Sequence, residues 1–299
     1  MIATDHCGAR LLQFESDRKP AAMNPKTIPD RIPSALQVPD VEREGANSIT
    51  VLTARARGGQ LAWAGPLVMV AARSFFLIAA QAVVAGLLWI QSGSWSWNAA
   101  AKWWTVYGTL VDLGCLALMR VFVRQEGIRL RDLIGRVRLR RGYDFFLGIG
   151  CYLLIFPFFA LAFPLAGRIV YGRWQPHSFP GLMDARVLPL WAVVYSLSVW
   201  WMIWSPTEQM TYQGYALPRL VALFGSRSKA ILLVGFWWAL QHSFLPFILD
   251  WRYVAWRFLA FVPGTMVFML VYLRLRRLPP LIVAHWPMDI AAAFFTVRF

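Results

Sequence analysis

Residues 66–90 read PLVMVAARSFFLIAAQAVVAGLLWI, an apolar run long enough to cross a bilayer as a helix. Six further apolar runs follow along the chain, at 103–123, 145–165, 187–205, 230–249, 254–273 and 280–297. Hydrophobic residues make up 58% of the chain and charged residues 15%, against about 25% charged residues in soluble domains. The sequence therefore predicts an all-α fold, a polytopic membrane helix bundle with about seven transmembrane helices.

The first 62 residues differ from the rest of the chain. They are polar, mixed in charge and rich in proline, without a sustained hydrophobic period. That composition is typical of disorder, and the stretch lacks the features of a secretory signal. We expect residues 1–62 to form a disordered cytoplasmic tail and residues 63–299 to form a transmembrane helical domain.

The net charge of +15 reflects the membrane rather than nucleic acid. Lysines and arginines cluster in the short loops, with more of them after the second, fourth and sixth spans than on the opposite side. This bias predicts that these loops and the N-terminus are cytoplasmic, in a multi-pass protein of the cell (plasma or inner) membrane. In residues 124–143, apolar residues recur at helical spacing among arginines. The segment predicts a basic amphipathic helix on the inner leaflet or a plain charged connector.

Four ionisable residues lie in or beside the apolar runs: Glu208, His242, His285 and Asp289. Each costs about 2.5–3.5 kcal/mol in a bilayer, so such residues usually serve a function. Taken singly, the glutamate could snorkel to headgroups, and the others could make contacts between helices. Together they are the side chains that hold a divalent metal or activate water. Asp112 is left over, as an interhelical contact or as a support for the site.

The depths of these residues do not match in a simple seven-span arrangement. Glu208 would lie at the cytoplasmic end of the fourth span. His242 would lie about 18 Å into the fifth span, from the helical rise per residue. A later start of the fifth span, a tilt or a re-entrant segment would bring it level with the others.

At these residues the chain resembles the CPBP family of intramembrane metalloproteases, which includes type II CAAX prenyl proteases and bacteriocin-processing or immunity proteins. The family pattern is Glu-Glu-x-x-x-Arg, then Phe-x-x-x-His, then His-x-x-x-Asn/Asp, each on its own membrane helix. Over residues 187–297 the chain has Glu208-Gln209-Met210-Thr211-Tyr212-Gln213, Trp238-Ala239-Leu240-Gln241-His242 and His285-Trp286-Pro287-Met288-Asp289. It departs from the pattern at Gln209, Gln213 and Trp238.

The resemblance implies that Glu208, His242 and His285 are the essential set and that Asp289 is an accepted variant. With the chemistry of these residues, it favours a metal-dependent endopeptidase that cleaves a membrane-associated protein or peptide. In this hypothesis His242 and His285 hold a divalent metal, zinc, with Asp289 as a third ligand or an orienting partner. Glu208 is the general base on a bound water or another ligand.

Two alternatives remain open. Gln209 and Gln213 favour a catalytically inactive family member that binds a membrane partner or acts in immunity. Glu208, His242 and Asp289 could instead form the proton relay of a small carrier, although the sequence lacks the internal repeat common in transporters. Metal content separates the enzyme from the carrier, and catalysis separates it from the inactive relative.

Overall fold

The computed structural model describes residues 45–137, 142–174 and 183–298, which are mainly helical. Most of the predicted tail therefore lies outside the described residues. The elements are α1 (Ile49–Arg57), α2 (Ala64–Ser92), α3 (Trp97–Ala101), α4 (Trp104–Gln125), α5 (Leu130–Ile134), α6 (Tyr143–Tyr171), β1 (Met183–Asp184), α7 (Leu190–Ser198), α8 (Trp200–Gln209), a π-helical segment (Met210–Ala216), α9 (Leu217–Phe224), α10 (Arg227–Gln241), α11 (Trp251–Leu275), α12 (Pro279–Thr296) and β2 (Val297–Arg298).

Four of these helices are long and apolar enough to cross a membrane, namely α2, α4, α6 and α11. They coincide with the predicted runs at 66–90, 103–123, 145–165 and 254–273. Their outward faces carry exposed large apolar side chains; on α6, Leu153 is 65% exposed and Leu161 is 71% exposed. In water such faces would be unfavourable, whereas hydrocarbon accepts them. The protein is therefore an all-α membrane protein.

The other three predicted spans take different forms. The run at 187–205 is divided between α7 and α8, which meet at Val199. The run at 230–249 ends as a helix at Gln241, and the run at 280–297 becomes α12. None of the three is among the candidate spans by length and composition, so the described residues show four candidate spans and the predicted count of about seven is not confirmed. The polar residues of the candidate site interrupt two of these runs, which lowers their apolar character.

The helical backbone does not stop where α8 ends beside Glu208 but continues without a break through the π-helical segment and α9 as far as Phe224. A tight turn at Gly225 and Ser226 then leads into α10. Glu208 precedes Gly225 by as many residues as His242 follows it, so the two arms of this hairpin bring both residues to one level. The prediction that the helical run stops near Glu208 is wrong, and the apparent mismatch in depth came from that placement.

Two predicted surface segments are instead packed against the bundle. Residues 49–57, placed in the disordered tail, form α1, whose Leu52 is fully buried against α9. In the segment 124–143, only Leu130–Ile134 forms a separate short helix, α5, and residues 138–141 lie outside the described part. Leu133 is 1% exposed, and its carbonyl lies close to Gly214 of the π-helical segment. The described part of this segment is therefore not a helix lying on a leaflet.

The two short strands join the loop before α7 to the end of α12. Met183 pairs with Val297 and Asp184 pairs with Arg298, in parallel. The side chain of Arg186 donates to the Asp184 carboxylate, and this hydrogen bond lowers the pKa of Asp184 to about 2. The pairing ties the segment that leads into α7 to the helix that carries His285.

Candidate active site

Glu208 lies in the last turn of α8, directly before the π-helical segment. Its side chain is fully buried. Neither of its carboxylate oxygens has a hydrogen-bond partner of normal geometry, although the indoles of Trp204 and Trp238 lie near. π-Helical turns are rare and occur often at functional sites. A buried acid without partners beside such a turn has a side chain free for chemistry.

His242 follows the last residue of α10, and three contacts fix it, two to its ring and one to its backbone carbonyl. Its Nδ1 lies 2.8 Å from the carbonyl oxygen of Trp238, to which it donates. The ring stacks on Phe261, with centroids 3.6 Å apart and planes at 15°. Arg257 of α11 donates from Nε to the His242 carbonyl at 3.0 Å. Because the proton lies on Nδ1, Nε2 is a bare acceptor, 3.7 Å from Oε1 of Glu208.

His285 and Asp289 lie one turn apart on α12 and face the same carboxylate. Nε2 of His285 is 3.3 Å from Oε2 of Glu208 and 3.5 Å from Oδ1 of Asp289. Ser205 donates a short hydrogen bond to Oδ2 of Asp289, and the amide nitrogen of Gln209 lies 3.1 Å from Nδ1 of His285. The structure thus brings all four predicted site residues together, with Glu208 at the centre of the group. Their individual roles remain predictions.

A buried ion pair that the sequence analysis missed lies beside these residues. Nη1 of Arg73 on α2 is 2.8 Å from Oδ1 of Asp112 on α4, and both side chains are fully buried. Asp112 is therefore the interhelical contact that the sequence left unassigned. The available signal was an arginine within a run otherwise apolar, which is as costly in a bilayer as the acids we selected.

Arg73 also connects this pair to the helices that carry Glu208 and His242. Its Nε donates to Oε1 of Gln241 at 2.8 Å, and the Tyr212 hydroxyl donates to the same oxygen at 3.0 Å. Its guanidinium lies 4.1 Å from the centre of the Trp204 ring. Trp204 and Tyr212 lie one helical turn before and after Glu208, so Arg73 spans the face of the helix from which Glu208 projects.

Comparison with known families agrees with this geometry. Residues 187–291 match the family model of type II CAAX prenyl endopeptidase Rce1-like proteins. The match confirms the family resemblance inferred from the three motifs. No curated protein and no solved structure matches the chain.

The matched Rce1-like region contains Glu208, His242, His285 and Asp289, but neither Arg73 nor Asp112. The family is one of proteases, so the match supports peptidase activity in a membrane protein. The chain departs from the family pattern at Gln209, whose amide contacts His285. That substitution lies in the site itself, so its effect on the chemistry depends on the atoms that the Gln209 side chain contacts.

The donor types of the site suit a divalent metal. Within the part of the chain that the structure describes, no group of three or more His, Cys, Asp or Glu side chains is placed to hold a metal ion. The bare Nε2 of His242 suits a metal, whereas Nε2 of His285 faces two carboxylates. We therefore derive no chemical step through a metal.

Proposed function

We propose that the protein is an intramembrane endopeptidase of the Rce1-like type, which hydrolyses a peptide bond of a membrane-associated protein or peptide. One observation carries this proposal: two hydrogen-bond acceptors, Oε1 of Glu208 and Nε2 of His242, face each other at 3.7 Å. Neither atom can donate to the other when the carboxylate is ionised and the imidazole is neutral. A water molecule that donates one hydrogen to each atom satisfies both.

Such a water is held where a general base can take its proton. Glu208 is the base in this proposal, and His242 orients the water through its Nε2 lone pair. Both side chains are buried, so the base acts in a low-dielectric site where its interactions with the reacting atoms are strong. Nε2 of His285, on the other side of Glu208, is placed to donate to an oxygen that gains charge during attack on a peptide carbonyl.

The substrate class is proposed from the membrane setting and from an apolar cavity. A cavity of about 560 Å³ lies between α10 and the start of α11, beside the turn that follows His242. Its lining includes Phe236, Leu240, Phe244, Phe247, Trp251 and Phe258. A lining of this kind fits an apolar chain or side chain better than a charged group. A peptide that carries a lipid-like apolar group matches both this cavity and the family.

Metal dependence is a separate part of the proposal. When bound at His242 and His285 with Glu208 and Asp289, a zinc ion would lower the pKa of a bound water. The donor chemistry of these four side chains supports this version. The metal content of the purified protein, measured beside His242→Ala and His285→Ala, decides between the version with a metal and the version without one. Stoichiometric zinc that both variants lose would establish the metal version.

Location in the cell membrane with the N-terminus in the cytoplasm is likewise a proposal, supported by the distribution of arginines and lysines between the loops. It places the turn at Gly225 and Ser226 on the cytoplasmic side. A Ser226→Cys variant, labelled with a thiol reagent in intact cells and in cells made permeable, tests this orientation. Labelling of intact cells by an impermeant reagent would reverse it.

The experiment that tests the function is Glu208→Gln in the detergent-purified full chain, with a fluorescence-quenched prenylated peptide ending in a CAAX sequence as the substrate. The amide keeps the volume of the side chain but cannot accept a proton, so cleavage should fall at least about a thousandfold, within the contribution of general base catalysis. Glu126→Gln is the matched control. Glu126 pairs with Arg219 outside the site, so this variant should keep its rate at temperatures where it stays folded.

Full activity of the Glu208→Gln variant would refute the assignment of the base. If the folded wild-type protein binds the peptide but does not cleave it, and the Glu208→Gln variant binds equally well, the inactive-relative alternative replaces the proposal. Thermal unfolding of each variant shows that any loss of rate does not come from loss of fold.

A further inference from the structure

We infer that Gln209 is a positioning residue that fixes the tautomer of His285, by donating from its amide to Nδ1 and so keeping the imidazole proton on Nε2. This inference rests on the proposed function for its catalytic meaning, but its geometry stands alone. Gln209 is fully buried next to Glu208, and its amide nitrogen lies 3.1 Å from Nδ1 of His285. The departure from the Glu-Glu pattern therefore touches the second histidine of the site directly.

The surroundings of Nε2 decide which ring nitrogen of His285 carries the proton. Nε2 faces Oε2 of Glu208 at 3.3 Å and Oδ1 of Asp289 at 3.5 Å. An ionised carboxylate is acceptor-only, so a bare Nε2 would direct a lone pair at two acceptors. The proton therefore belongs on Nε2. In the neutral ring Nδ1 is then an acceptor, and it requires a donor.

Gln209 supplies that donor, and a glutamate could not. The amide has two N–H donors, whereas an ionised carboxylate has none. A carboxylate at position 209 would accept only, so Nδ1 would have to carry a proton of its own to face it, and the ring could no longer stay in the neutral Nε2-protonated form. Exchange of glutamate for glutamine thus converts an acceptor into a donor at the point where His285 needs one. We interpret Gln209 as a functional part of the site and not as decay of the motif.

The two histidines consequently have opposite tautomers around one carboxylate. His242 carries its proton on Nδ1, bonded to the Trp238 carbonyl, and presents a bare Nε2. His285 carries its proton on Nε2 and presents a donor. In this arrangement Glu208 has an acceptor on one side and a donor on the other.

The test is nitrogen-15 NMR of histidine-labelled protein, which reports the protonation of each ring nitrogen. The chain has four histidines, and the spectrum of His285→Ala identifies the resonances of His285. In the wild-type protein we expect Nε2 of His285 to be protonated and Nδ1 to be bare. Protonated Nδ1 in the wild type would overturn the inference, because the Gln209 amide would then be turned to accept.

Gln209→Glu is expected to place a proton on Nδ1 of His285. Gln213→Glu is the matched control: Gln213 is also a fully buried amide, one turn further along, and neither of its polar side-chain atoms has a hydrogen-bond partner. This control adds the same charge without contact to the ring, and it should leave the His285 spectrum unchanged. An unchanged spectrum in Gln209→Glu, or the same shift in both variants, would overturn the inference.

Gln209→Met provides a second variant that adds no buried charge. It removes the donor and keeps the length of the side chain, so kcat for the prenylated peptide should fall about tenfold or more while KM stays nearly constant. An unchanged kcat would overturn the positioning role. If the wild-type protein cleaves no peptide, the proposed function fails, while the NMR result still confirms or refutes the tautomer.

Discussion

Removal of one partner of the Arg73–Asp112 ion pair is expected to cost far more stability than removal of both. The two side chains are fully buried, and Nη1 of Arg73 lies 2.8 Å from Oδ1 of Asp112. A buried charge that loses its partner costs about 3–5 kcal/mol, whereas replacement of both partners by apolar residues is often neutral. Arg73→Met and Asp112→Leu should therefore each lower the free energy of unfolding by about 3–5 kcal/mol.

The double variant should lose much less. Arg73 also donates to Oε1 of Gln241, and a hydrogen bond of this kind contributes about 1.5–3 kcal/mol. The Gln241 oxygen keeps its bond from the Tyr212 hydroxyl, so it is not left without a donor. We expect the double variant to lie within about 1–2 kcal/mol of wild type. The sum of the single losses would exceed this by several kcal/mol, far above the roughly 0.5 kcal/mol scatter of independent sites.

The assay is denaturant unfolding of the detergent-solubilised protein, followed by the fluorescence of its 16 tryptophans. Arg120→Met is the control, because Arg120 lies on the exposed face of α4, the helix that carries Asp112. It should change the free energy of unfolding by less than about 0.5 kcal/mol. Single variants that cost less than about 1 kcal/mol, or a double variant that costs the sum of the two, would refute the reasoning.

Two further changes test contacts around Glu208. Ser205→Ala removes the hydroxyl that donates to Asp289. Because hydrogen bonds to a charged group contribute about 1.5–3 kcal/mol, kcat for the prenylated peptide should fall about tenfold to a hundredfold. The control, Ser198→Ala on an exposed part of α7, should leave kcat unchanged. Asn47→Ala removes the side chain whose amide donates to the Gly214 carbonyl at 2.9 Å. This variant should lower the free energy of unfolding by about 1–2 kcal/mol. An unchanged free energy of unfolding would show that this contact does not hold the π-helical segment.

The long apolar helices could be predicted because their signal is local. A helix that crosses a membrane satisfies its own backbone, so its length and composition can be counted along the chain. The helices α2, α4, α6 and α11 accordingly coincide with predicted runs. The helices that carry the candidate site could not be counted in this way. Polar residues interrupt their apolar pattern. The break at Val199 and the end of α10 at Gln241 depend on packing between helices, which the sequence pattern does not contain.

The residues that lie together around Glu208 could be selected from the sequence because acids and histidines in apolar sequence are few. Their relative placement could not be predicted. The distance between Glu208 and His242 depends on the continuation of α8 into α9 and on the turn at Gly225, and a span prediction had ended the helix at the membrane boundary. The pairing of Arg73 with Asp112 could not be predicted for a related reason, since the two residues are distant in sequence and close only in the folded protein.

The same limit explains the interpretation of Gln209. In sequence, a glutamine in place of the second motif glutamate is a loss of charge and favours an inactive relative. In the structure its amide faces Nδ1 of His285, whose Nε2 faces Glu208 and Asp289. A donor at position 209 therefore completes a hydrogen-bond chain that an acceptor would break. Whether a substituted motif is still functional depends on what the partner of the substituted atom requires, and here His285 requires a donor.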